Sequence, residues 1–236
     1  MTTDQIEAVE RAFKRRYEIK KLVNLIISIV IFVLGATSVL YIWNYDADGV
    51  LTFRWMTVDG TVFTTVIALN FILINIIEMV KYTEVTAKGV YFMRLAAAVA
   101  ESLIMVVVLL SQLPFSPEHM HIFRYDMFNM HILIPILMVA SFLLNDAPIG
   151  KLRFAQIFRG MWFVLFYAVV ILTLILTGVI RTEQIPYFFL DVTNNPTLTT
   201  VGYFAIIFAT AFLLSAVLSR WNRKLSWVWF RGVAST

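Results

Sequence analysis

Six apolar runs, each about as long as a lipid bilayer is thick, decide what this chain can fold into: Leu22 to Trp43, Asp59 to Val80, Val90 to Gln112, Met127 to Leu144, Phe158 to Ile180 and Thr199 to Leu218. A helix rises about 1.5 Å per residue, so roughly 20 apolar residues cover the hydrocarbon layer. The runs are far too long for barrel strands, which cross in about ten alternating residues. The expectation is an all-α integral membrane protein with six transmembrane helices. Hydrophobic residues make up 60% of the 236 positions, against about 45–50% in a soluble domain. The first run has no small-residue cleavage site after a short apolar core, so it reads as a retained span. With no cysteine in the chain, disulfides, thiolate nucleophiles and cysteine-based metal centres are excluded.

Charge orients the spans. Sixteen of the 19 Lys and Arg residues fall before the first span, in the second-to-third or fourth-to-fifth connections or just inside the helix that follows (Arg94, Arg159), or in the tail, and only Arg54, Arg124 and Arg181 lie on the other side. The positive-inside rule then puts both termini in the cytoplasm. Residues 1–21 read as a basic cytoplasmic segment, 22–218 as one six-helix membrane domain and 219–236 as a basic cytoplasmic tail. The basic residues flank apolar runs, which matches anionic lipid headgroups as partners and not nucleic acid. The opposite side carries the longer connections, with Pro114, Pro117, Pro186 and Pro196 stiffening them. No small-residue stripe dominates one span, so the sequence leaves the oligomeric state open.

A polar side chain inside such a span needs a partner, water or a task. Glu101 lies about 11 residues into the third span, near the midplane, as a carboxyl that joins helices or as a cavity residue that binds or relays a proton. On the second span Thr57, Thr61, Thr64 or Thr65, Ala68 and Asn75 share one face. Glu78 lies near the cytoplasmic end, where it can reach water. Asp59 marks the outer start of the helix, a place to accept a bond from a first-turn amide. On the fourth span His131, Pro135, Met138 and Phe142 recur at four, three and four, and Pro135 is expected to loosen the first turns. His131 and Thr57 enter from the same side and so lie at similar depth. His131 is a structural ring, an acid–base group or a ligand, but His119 and His121 do not complete a metal-site spacing, and no metal is expected. Asp126, Asp191 and Glu183 are the carboxylates available on that side to orient the imidazole.

The stretches "FRWMTVDG", "NMHILIPIL" and "IPYFFLDV" resemble three signatures of the integral membrane family that includes the androgen-induced and androgen-dependent tissue-factor-regulating proteins and their bacterial relatives. Members of that family are threonine hydrolases, some of which split fatty acid esters of hydroxy fatty acids. The resemblance implies a nucleophilic threonine at Thr57 and a histidine at His131, no cofactor, and, through the bacterial branch, a place in the cytoplasmic (inner) membrane. The chemistry is coherent with the residues themselves: a threonine hydroxyl needs a base to remove its proton, and His131 is the imidazole in the same layer. Candidates for an oxyanion donor or a partner for a substrate carboxylate are Arg54, Asn129, Arg181 and Tyr187. Asp59, Asp126, Asp191, Asn75 and Glu101 are candidate polar support. Phe63, Met105, Met130, Met138 and Phe142 could line an acyl-chain pocket or simply pack. Two readings of other classes stand beside a lipid ester hydrolase. One is a small-solute or proton-coupled transporter or channel using Glu101, although neither half shows an inverted repeat. The other is a non-catalytic membrane binding or scaffold protein.

Overall fold

A computed structural model of the chain describes residues 3–45, 49–81, 87–115, 121–144, 154–192 and 194–234. Pro117, His119, Lys151 and Arg153 lie outside them. The described residues form an all-α bundle with six helices long and apolar enough to cross a membrane. They are α1 (Thr3–Tyr45), α2 (Met56–Lys81), α3 (Lys88–Gln112), α4 (Tyr125–Leu143), α5 (Phe154–Leu176) and α6 (Thr197–Ala234). The first and last helices run unbroken past residues 21 and 218, beyond the apolar segments themselves. Helix α5 stops at Leu176, four residues short of the sequence-based end, because Thr177 caps it and Gly178 takes a positive φ of 75°, a conformation glycine adopts without steric cost.

Helix α3 is the axis of the bundle. Leu95, Ala96, Ala97, Ala98, Val99 and Ala100 are all fully buried, because small side chains let neighbouring backbones close in where lipid supplies no hydrophobic drive between helices. Helix α2 runs antiparallel to it, with Gly60 facing Ile104 at one end and the Arg94 guanidinium over the Phe71 ring at 3.6 Å toward the other. Gly35 on α1 sits where any β-carbon would collide with the Thr65 hydroxyl of α2. Gly160 at the start of α5 is likewise closed in by Leu95 and Ser215. The outer faces of α1 and α6 expose large apolar side chains such as Ile26, Leu40, Ile206 and Leu213, as surfaces bathed in hydrocarbon do.

At the Lys21 end of the bundle a buried polar clasp ties the helices together. Lys21 of α1 pairs with Glu78 of α2 at 2.6 Å. Arg94 of α3 donates to Asn24 of α1 at 2.6 Å and also to Ser141 of α4. Ser141 donates to the same Asn24 oxygen at 2.7 Å, and Asn24 reaches Asn75 of α2 at 3.4 Å. Tyr91 and the Phe142 carbonyl bring in Asn222 of α6 at 3.3 and 2.9 Å. Glu78 is 1% exposed, which corrects the expectation that it reaches water: the Lys21 ammonium takes the place of solvent. Burying charged groups in an apolar setting is costly unless opposite charges and internal hydrogen bonds accompany them.

Both interrupted helices carry a proline just past the interruption. A wide π turn spans Val108–Gln112 ahead of Pro114, and another spans Asn129–Leu133 ahead of Pro135. Proline has no amide to donate, so the ladder loses a bond there, and the chain widens into a turn closed from i to i+5. The loosening expected at Pro135 is therefore a defined local geometry, and it contains His131.

Candidate active site

The short 3-10 helix Gly49–Arg54 ends against the start of α2, and the Trp55 carbonyl accepts the amides of Val58 and Asp59 at 3.0 and 3.2 Å. The amides of Met56 and Thr57 precede those first intrahelical bonds and belong to the open end of the helix. Tyr167 of α5 donates its hydroxyl to the Arg54 carbonyl at 2.6 Å and so pins this corner. Thr57 thus projects from a first turn whose position is set from two sides.

Across from it stands His131, 6% exposed and held in the π turn of α4. Thr57 Oγ and His131 Nε2 are 3.3 Å apart. The other ring nitrogen, Nδ1, lies 2.9 Å from the Met127 carbonyl. A carbonyl can only accept, so Nδ1 carries a proton, and in the neutral ring Nε2 then presents its lone pair and the Thr57 hydroxyl donates to it. This is the tautomer a general base needs. The orienting group is thus a backbone carbonyl. Among the carboxylates considered for that task, Asp126 is fully buried and engaged by Arg124 through both oxygens at 2.6 Å, although it lies within electrostatic reach of the imidazole. Asp191 closes a turn by accepting from the Asn194 amide and side chain at 3.0 and 2.8 Å, and Glu183 pairs with Arg181 at the surface.

The third group at the site comes from the connection between α5 and α6. Tyr187 follows Pro186 and opens the 3-10 turn Phe188–Leu190, whose Leu190 amide returns to the Tyr187 carbonyl at 2.9 Å. Its ring meets Trp55 edge-on at 5.3 Å and stacks on Phe189 at 5.1 Å. Its hydroxyl lies within reach of the Thr57 hydroxyl and the backbone amides of Met56 and Thr57, and burial pushes this phenol up to about 12.

Beside Thr57 and Tyr187 opens a cavity of about 50 Å³, walled by Leu103, Ile104, Val164, Ala168, Phe204 and Phe208 among other apolar side chains. Its walls belong to α3, α5 and α6. The residues considered for an acyl pocket sit elsewhere: Met130, Met138 and Phe142 are buried in the packed interior, Phe63 stacks on Phe163 at 4.5 Å, and Met105 is half-buried on α3. Of the other candidates, the Arg54 guanidinium lies over the Trp55 ring at 5.5 Å, and Asn129 donates to Ser38 of α1 at 3.2 Å. Asp59 occupies the first turn of α2 within electrostatic reach of Tyr167 and Tyr187. Asn75 belongs to the clasp, and Glu101 is fully buried beside Thr64, two turns deeper along α2 than Thr57. Among the described residues no three His, Asp or Glu side chains converge as a metal site would require.

Tyr167 and the cavity wall escaped the sequence reading. A tyrosine inside "WFVLFYAVV" carries one usable signal, since a phenol in an apolar run needs a polar partner for its tip. Comparison of the chain with protein-family models, curated proteins and solved structures found no match.

Proposed function

We propose that this protein is an intramembrane threonine hydrolase that cleaves the ester bond of lipid substrates such as fatty acid esters of hydroxy fatty acids. The observation that carries the reading is the pair itself: Thr57 Oγ lies 3.3 Å from His131 Nε2, and the Nδ1 contact to the Met127 carbonyl suits the neutral ring in which Nε2 accepts. In the acylation step His131 takes the Thr57 proton as Oγ bonds to the ester carbonyl carbon. The C–O bond to the alcohol then breaks, and His131 returns that proton to the departing oxygen. Water next attacks the acyl-threonine, giving its proton to His131, and the free acid leaves as Thr57 recovers its hydrogen. The atoms balance with water as the sole co-reactant.

Two further observations support a lipid substrate. The cavity at Thr57 is walled mostly by apolar side chains, the greater part of them from membrane-spanning helices, and a substrate already dissolved in the bilayer meets the site at fixed depth, which lowers the entropic cost of alignment. The likeness of "FRWMTVDG", "NMHILIPIL" and "IPYFFLDV" to the androgen-induced and androgen-dependent membrane hydrolases and their bacterial relatives points the same way. In this reading both termini are cytoplasmic, the dyad opens toward the opposite face, and the membrane is a bacterial inner membrane. The complete burial of Glu101 within the buried segment 95–103 of α3 favours this function over a transport route through the midplane.

Purified protein should hydrolyse a long-chain fluorogenic ester, and Thr57→Ala should abolish turnover while remaining folded. A fluorophosphonate should tag Thr57. Full turnover in Thr57→Ala, or a tag on another residue, refutes the assignment.

A further inference from the structure

Acyl transfer through Thr57 places negative charge on the substrate carbonyl oxygen, and the hydrolase reading leaves open which group meets it. Donors near the Thr57 end divide sharply. The Arg181 guanidinium is exposed and paired with Glu183 at 3.6 Å. Arg124 is committed to Asp126, and Asn129 points its amide at Ser38 on α1. Arg54 lies over the Trp55 ring. Tyr187 differs from all of them in that its hydroxyl reaches the Thr57 hydroxyl and the same ring lines the cavity.

We infer that the Tyr187 hydroxyl is the side-chain donor of the oxyanion site, hydrogen-bonding the carbonyl oxygen as Thr57 attacks, in concert with the open-end amides of α2. The inference rests on Thr57 being the nucleophile. In the resting site the Thr57 hydrogen points to His131 Nε2, and the Tyr187 hydroxyl lies within reach of the same Oγ. When Oγ bonds to carbon, the carbonyl π electrons move to the carbonyl oxygen, two bonds away from Oγ. Rotation about the phenolic C–O bond then directs the Tyr187 hydrogen onto that oxygen. Tyr187 keeps its proton throughout, and the only proton that moves in this step goes from Thr57 to His131. The donor is also pre-arranged, as catalysis by fixed dipoles requires. Pro186 restricts the backbone before it, Trp55 and Phe189 hold the ring on edge and face, and Tyr167 fixes the helix end that carries the amides. A phenol whose ionisation is pushed up to about 12 remains a donor at any physiological pH.

The test compares wild type, Thr57→Ala and Tyr187→Phe on one long-chain fluorogenic ester and one fluorophosphonate. Tyr187→Phe keeps the ring and its stacking and removes only the oxygen. The expected result is a kcat lower by roughly 100-fold with KM changed less than about threefold, as for loss of one oxyanion donor, and slower fluorophosphonate labelling of Thr57. A second measurement replaces Tyr187 with 3,5-difluorotyrosine, a more acidic phenol. Its activity should fall on the alkaline side at a pH where wild type still holds, because the ionised ring no longer donates. Wild-type kinetics in Tyr187→Phe, a loss confined to KM, or superimposable pH profiles overturns the inference while leaving Thr57 in place. A wild-type protein that neither turns over the ester nor labels at Thr57 overturns the hydrolase reading and this inference with it.

Discussion

Replacing Lys21 by methionine strands the Glu78 carboxylate in the interior, and the structure sets the scale of the effect. The pair lies at 2.6 Å, with side chains 4% and 1% exposed. At that separation and an effective dielectric of about 20, the Coulomb attraction is about 6 kcal/mol, most of it offset by the cost of withdrawing two ions from water. A single substitution reads something different: a buried charge that has lost its direct counter-ion, which costs about 3–5 kcal/mol. At roughly 2–4 °C per kcal/mol for a chain of this size, Lys21→Met should lower the melting temperature by about 6–20 °C. Glu78→Leu should do the same, since it removes the carboxylate that the ammonium pairs with and leaves it near the Tyr17 ring at 5.3 Å. The double variant, which removes both charges, should recover most of the loss. The assay is thermal unfolding of the four proteins in one detergent, read as loss of monodisperse protein, with the coupling taken from the cycle. Thr57 and Glu78 are 21 residues apart on one helix, about 30 Å, so esterase activity below the transition should be little changed. Single variants within about 2 °C of wild type, or a double variant less stable than both singles, would refute the reasoning.

Two further outcomes follow from the site. Ala168→Phe fills the cavity between α5 and α3 and should shift the preferred substrate toward shorter acyl chains, with short-chain turnover retained; an unchanged chain-length profile across a fluorogenic ester series would place the acyl chain elsewhere. Pro135→Ala restores the missing amide, lets the π turn tighten and turns His131 away from Thr57. Since a misplacement of about 1 Å can cost about 100-fold, kcat should drop at least about tenfold with thermal stability unchanged or raised, and a kcat equal to wild type would show that the turn does not position the imidazole.

Spans were legible because bilayer thickness imposes a length that few other constraints mimic, and the six apolar runs match the six helices to within a few residues except where α1 and α6 continue as helix past the apolar stretch. That Thr57 and His131 share a layer also follows from connectivity, as both helices begin on one side. Their contact does not follow, since it depends on how α2 and α4 pack about α3. The cavity wall was hidden for a different reason. Phe204, Ile207 and Leu103 at the cavity are chemically the same kind of residue as Met138 and Phe142 in the packed interior, and helical periodicity cannot separate a wall from a core. Lys21, Glu78 and Arg94 looked like charges at span ends, their usual position. Only the three-dimensional meeting of α1, α2 and α3 turns them inward.

The placement of the clasp has a mechanical result. The clasp joins α1, α2, α3 and α4 through a continuous set of buried bonds at one extremity. Toward the other the polar links are separate ones, such as Thr57 to His131, Asn129 to Ser38 and Tyr167 to the Arg54 carbonyl, so a helix tilt pivots most readily where Lys21, Asn24 and Arg94 meet. A tilt of about 5° about that pivot moves a tip about 30 Å away by roughly 2.6 Å. In the proposed hydrolase, such a tilt would part the helices beside Thr57 and give an alkyl chain a sideways way in from the bilayer, with the clasp as the hinge.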